Sequence, residues 1–90
     1  MVKHQNITIS GRVQGVGFRF SARNAANIYG IKGNIKNLVN GDVYIEAEGN
    51  EDQLNQFIKW CYDGPKYAII ENIYIEEDKM KNFNFFDILH

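Results

Sequence analysis

Ninety residues, 44% of them hydrophobic, with a net charge of −1, describe one domain with enough apolar material for a packed core, and they exclude wholesale disorder. The single cysteine, Cys61, excludes an intramolecular disulfide and any zinc site built on cysteine pairs, and His4 and His90 lie too far apart in sequence to suggest a His-rich cluster, so no metal is expected. The longest apolar run, Tyr67 to Ile70, falls far short of the roughly 20 residues that span a bilayer, and Met1 to Asn6 contains no apolar signal segment. A single domain over residues 1–90, in a reduced cytoplasmic setting with no membrane partner, is the expectation.

Charge is unevenly distributed. Residues 1–40 carry Lys3, Arg12, Arg19, Arg23, Lys32 and Lys36 and not one Asp or Glu, so this half is +6 and the remainder is −7. A half-chain without a carboxylate suits a place that holds an anion, although surface lysines alone produce the same count.

In chain order, Ile7, Ile9 and Val13 alternate with Thr8, Ser10 and Arg12, which is strand periodicity. A glycine-rich segment from Gly11 to Arg19 follows. Ala22, Ala25, Ala26 and Tyr29 then recur at helical spacing, with Ser21 as the expected cap and Gly30 as the stop. A second strand runs from Ile31 to Asn37, with Lys32, Asn34 and Lys36 on one face. Asn40-Gly41 is a hairpin signal, and Val43, Ile45 and Ala47 mark a third strand. Asn50 with Gln53 predicts a capping box, ahead of a helix that buries Leu54, Phe57, Ile58 and Cys61 and stops at Gly64-Pro65. Ala68 and Ile70 have the opposite parity to Ile73 and Ile75, which predicts a bulge near Glu71-Asn72. After a charged loop from Glu76 to Lys81, Phe83 to Leu89 reads as a closing strand, with its phenylalanines in the core. The order β-α-β-β-α-β predicts an α+β sandwich, an antiparallel sheet with both helices on one face.

The chemistry concentrates between Gly15 and Arg19. Glycines let a backbone approach an anion closely, successive N–H groups can converge on it, and the start of the next helix adds unpaired donors. Arg19 offers a planar fork that fits two phosphate oxygens. A glycine-rich loop is by itself more often a plain turn, and neither common nucleotide fingerprint is present.

The segment Gly11-Arg12-Val13-Gln14-Gly15-Val16-Gly17-Phe18-Arg19 resembles the N-terminal signature of the acylphosphatases. Gly33-Asn34-Ile35-Lys36-Asn37-Leu38-Val39-Asn40-Gly41-Asp42-Val43, closing at Gly49, resembles the family's second signature, and Gly64-Pro65 and Phe86-Asp87-Ile88 resemble its ending. The resemblance implies the ferredoxin-like version of the same sandwich. It further implies a cofactor-free hydrolase that cleaves a small-molecule acyl phosphate to a carboxylate and inorganic phosphate. By position, Arg19 matches the family's phosphate-binding arginine and Asn37 the asparagine that orients the attacking water. The N–H groups of Gly15, Val16, Gly17, Phe18 and Arg19 match its phosphate cradle. Asn34 departs from the pattern, standing where the family usually has an aromatic residue. By parity it lies on the strand face opposite Asn37, so the departure bears on packing and not on chemistry.

Such a reaction needs little machinery. The leaving carboxylate has a pKa of about 4 and needs no general acid, and phosphoryl transfer asks chiefly for positioning and charge stabilisation. No side chain near the two motifs reads as a general base, so Asn37 would aim water and the substrate phosphate would accept the proton, as is thought for the family. Two rival readings are an RNA-recognition module and a phosphate-holding domain without turnover. The first is disfavoured because the third strand carries Glu46 and Glu48 and lacks the basic aromatic motif, so no nucleic-acid partner is expected. The second is disfavoured by the joint presence of Arg19 and Asn37. Arg12, Arg23, Lys32 and Lys36 read as solvated surface, Cys61 as core, and the chain as a monomer.

Overall fold

The computed structural model covers residues 1–90. Its elements are β1 (Val2–Arg12), α1 (Phe18–Tyr29), β2 (Lys32–Asn37), β3 (Val43–Asn50), α2 (Glu51–Asp63), β4 (Ile69–Asp78) and β5 (Phe86–Ile88). The strands form one sheet in the order β4-β1-β3-β2-β5. The expected β-α-β-β-α-β plan is present, and the first four strands pair antiparallel. The fifth adds a feature the periodicity did not show: β5 joins the edge of β2 in parallel, which makes the sheet mixed. The closing strand is also shorter than Phe83–Leu89, because β5 pairs only with the three residues Gly33 to Ile35. Phe86 is buried, whereas Phe85 is exposed. No helix is long and apolar enough to cross a membrane.

Period-two alternation places Ile7 and Ile9 of β1, Ile35 of β2, and Val43, Ile45 and Ala47 of β3 on one face of the sheet. Ala22, Ala25 and Ala26 of α1 and Leu54, Phe57 and Cys61 of α2 pack onto that face, in a single core with Phe18 and Phe86. The capping box of α2 is complete: Gln53 N donates to Asn50 Oδ1 at 2.8 Å, and Asn50 N donates to Gln53 Oε1 at 2.9 Å. The bulge falls where expected, with Ser10 opposite Asn72 and Gly11 opposite Ile70, leaving Glu71 as the extra residue. Helix α1 starts one turn earlier than its Ser21 suggested. Phe18 has to reach the core, so the helix opens there, Gly17 is its cap, and Ser21 N donates to Gly17 O at 3.1 Å inside the first turn.

Residues 79–85 cross the helix-free face of the sheet, from the β4 edge to the β5 edge, over a polar cluster. Glu48 Oε2 accepts from Lys81 N at 2.7 Å and from His4 Nδ1 at 2.7 Å, and Glu48 Oε1 accepts from Phe83 N at 3.0 Å. The His4 Nε2 atom lies 2.8 Å from Asn6 Oδ1, and the Phe83 ring lies 6.0 Å from the His4 ring. Lys81 pairs with Glu46, which also accepts from Asn34 Nδ2 at 3.0 Å. Asn34, in place of an aromatic side chain, thus belongs to this cluster on the face away from the helices.

Burial alone would raise the Glu48 carboxyl, but the donors from Lys81, His4 and Phe83 outweigh it and hold it below the usual carboxylate range. A lowered folded value means that the carboxylate's stabilisation is complete above the ordinary glutamate value of about 4.3. It is lost as pH falls through the lower folded value. Glu48→Gln turns one acceptor into a donor facing an N–H group and should cost about 1–3 kcal/mol at pH 7. Urea denaturation of the two proteins from pH 7 down to pH 3 checks this: the gap between their midpoints should close at the acid end.

Candidate active site

Strands β1 and β2 are each antiparallel to β3 between them, so they run the same way and end at the same edge of the molecule. β5, parallel to β2, ends there too. β1 feeds the loop before α1, β2 ends in Asn37, and β5 leads to Leu89 and His90. Around these three ends lies a cavity of about 230 Å³ lined by Gly15, Gly17, Arg19, Phe20, Asn37 and His90 over a floor of buried apolar side chains. No Asp or Glu lines it.

The loop's shape depends on two glycines. Gly15 (φ 73°) and Gly17 (φ 76°) lie in the left-handed region, which strains any residue bearing a Cβ. The N–H groups of Gly15, Val16 and Gly17 donate to no backbone carbonyl. Phe18 and Arg19 open α1, where the first N–H groups have no intrahelical acceptor. Five successive donors therefore sit at the positive end of a helix. Phe18, 2% exposed and edge-on to Trp60 at 5.6 Å, anchors the loop to the core.

Arg19 and Asn37, far apart in sequence, line this one cavity. Arg19 Nη1 donates to Leu89 O at 3.3 Å and lies 3.5 Å from His90 Nδ1. The Oδ1 atom of Asn37 is buried without a hydrogen-bond partner. An unpartnered buried oxygen is costly and leaves an acceptor unused at the cavity. Of the residues the two motifs single out for the site, Gly15, Gly17, Phe18, Arg19 and Asn37 thus line one cavity, whereas Val16 does not line it. Arg23 does not join them: its guanidinium lies 5.3 Å from the centre of the Phe20 ring. Cys61 is fully buried, and burial pushes its thiol far up, which leaves it inert.

Two residues at this end escaped the sequence reading. His90 figures in the sequence only as a residue too far from His4 to form a metal cluster; its approach to Arg19 depends on the parallel pairing of β5. Gln14 lies inside the first motif, and its side-chain amide donates to Leu38 O and Asp42 O, both at 2.8 Å. Its place beside the first cradle glycine was the available signal, but its partners lie in the turn after β2.

The strand ends, the loop with unpaired amides and the arginine–asparagine pair define an α+β sandwich with one carboxylate-free cavity at the ends of its strands. Residues 5–88 match the acylphosphatase family model. The chain is 39% identical over 84 residues to an acylphosphatase of Archaeoglobus fulgidus, covering 93% of this chain and 94% of that one. It superposes on the crystal structure of the Bacillus subtilis acylphosphatase with a TM-score of 0.95 at 32% identity, covering all of both chains. It also superposes, with a TM-score of 0.90 at 32% identity, on 12% of full-length HypF, whose structure was solved in a phosphate- and nucleotide-bound form. The chain belongs to the acylphosphatase family.

Proposed function

We propose that the protein hydrolyses the carboxyl–phosphate bond of acyl phosphates, releasing a carboxylate and inorganic phosphate. One observation carries this reading: Gly15, Gly17, Phe18 and Arg19, from a run of unpaired amides, line one carboxylate-free cavity together with Asn37, whose Oδ1 has no partner. The amides and the arginine fork hold the phosphoryl oxygens and stabilise the charge on them as the bond to the leaving group lengthens. Asn37 Oδ1 accepts from the attacking water and aims its lone pair at phosphorus. The acyl carboxylate leaves unprotonated, and the water's proton passes to a phosphoryl oxygen. A carboxylate here would repel the substrate dianion, and no Asp or Glu lines the cavity.

A phosphate-holding domain without turnover is the second reading, favoured by the likeness to part of HypF. Steady-state hydrolysis of benzoyl phosphate with excess chelator present separates the two. Unchanged turnover on adding chelator is expected; absence of turnover would leave only the holding role.

The residues are separable by their kinetics. Arg19→Ala should nearly abolish turnover and weaken competitive inhibition by phosphate. Arg19→Lys should restore little of either, because a point charge cannot hold two oxygens in one plane; near wild-type rates for the lysine variant would remove the fork from the site.

Asn37→Ala acts later. It should lower kcat by about 10²-fold, the scale for one positioned polar group, while phosphate inhibition changes little, because binding rests on Arg19 and the amides. A folded Asn37→Ala protein with full kcat would take Asn37 out of the reaction.

A further inference from the structure

We infer that Gln14 is a positioning residue for this hydrolysis: its side-chain amide fixes the distance between the phosphate cradle and the asparagine that aims water. The inference rests on the activity proposed above and assigns it a residue outside the Arg19–Asn37 pair.

The need for such a residue follows from the strand order. The cradle hangs from the end of β1 and Asn37 from the end of β2, and these strands are not neighbours, since β3 lies between them. No ladder hydrogen bond therefore links the two ends directly. Asn37 Oδ1 has no protein partner of its own, so its position follows that of the backbone carrying it. That backbone continues into the turn from Leu38 to Asp42. Gln14, adjoining the first cradle glycine, spends its Nε2 donors on the carbonyls of Leu38 and Asp42, each at 2.8 Å. One side chain thereby ties the entry of the cradle to the exit of β2.

The turn does not need Gln14 in order to form. Leu38 N donates to Asp42 O at 2.8 Å, Gly41 N donates to Leu38 O at 3.2 Å, and Asp42 N donates to Asn40 Oδ1 at 3.0 Å. The turn closes on itself, and Gln14 contributes its placement against the loop. Both carbonyls accept a turn bond as well as the glutamine bond, so neither is orphaned when Gln14 is replaced. Loss of the amide should therefore be read in the chemical step more than in folding.

The test is a double-mutant cycle of Gln14→Met and Asn37→Ala, with kcat, KM for benzoyl phosphate, phosphate inhibition and thermal midpoint measured for all four proteins. Gln14→Met should lower kcat about 10- to 100-fold, the cost of a displacement of about 1 Å at a reacting centre. KM and phosphate inhibition should stay near wild-type values, and the substitution should cost nothing more in the Asn37→Ala background. An equal loss of kcat in both backgrounds, or loss of phosphate inhibition together with kcat, overturns the inference, because Gln14 would then act on the cradle and not through Asn37. If Gln14→Met does not fold, Gln14→Asn, which withdraws the same amide by one methylene, is carried through the same cycle and judged by the same outcomes. A wild-type protein that fails to hydrolyse benzoyl phosphate removes the proposed activity and this inference with it. Wild-type turnover with kcat unchanged in Gln14→Met removes the positioning role alone.

Discussion

Five neighbouring backbone amides, from Gly15 to Arg19, have no backbone acceptor, and much of the architecture around them keeps them so. Left alone, a glycine-rich loop would satisfy its N–H groups by folding onto nearby carbonyls, since a missing bond costs more than a made bond contributes. Three constraints oppose that collapse. Gly15 and Gly17 hold the left-handed backbone that turns the loop, a conformation other residues adopt only with strain. Phe18, buried against Trp60, holds the exit of the loop in the core. The long antiparallel pairing of β1 with β3 and β4 holds its entry. The loop is rigid at both ends, and its donors remain available between them.

The same strand arrangement separates opposite charges within a small body. Residues of β3 alternate, so Val43, Ile45 and Ala47 enter the core while Glu46 and Glu48 face the other side. Those two carboxylates are answered there by His4, Asn34, Lys81 and the backbone of the crossing segment. That crossing segment carries the chain to β5, and β5 brings Leu89 beside Arg19. Pairing the acids beneath residues 79–85 and completing the anion site therefore both depend on the same connection.

Elements and site were legible to different degrees, for physical reasons. Alternation and helical spacing are local, so the four long strands, both helices, the capping box and the bulge at Glu71 could be read directly. Arg19 and Asn37 were legible because each sits in a compact motif with a distinctive neighbourhood. The parallel docking of β5 was not, because three residues against an edge strand carry no periodic signal, and the phenylalanines around Phe86 suggested a longer strand. The start of α1 was misplaced because Ser21 is a plausible cap by composition, whereas burial of Phe18 decides where the helix begins. His4, Glu48 and Gln14 each act through partners more than 20 residues away in sequence, and such partners are set by tertiary packing, with no local periodic signal.

The two side chains of the site are held in opposite ways. Asn37 ends a strand whose following turn is self-closed and clamped by Gln14, so its buried oxygen has little room to move. Arg19 starts from a fixed helical backbone, but its guanidinium is tethered only by an exposed 3.3 Å bond to Leu89 O and by the neighbouring His90 ring. A bond of that length to a neutral carbonyl is weak beside the charge-assisted pair a phosphate offers. In the proposed reaction, exchanging it for two phosphate oxygens would be favourable, and the guanidinium would be free to follow charge that spreads over the phosphoryl oxygens. In the proposed mechanism the water needs a stiffer guide, because its attack depends on direction as much as on proximity. Under the proposed mechanism, stiffness lies at the residue assigned to aim the water and compliance at the residue assigned to neutralise charge, a division suited to a reaction whose leaving group needs no help from the protein.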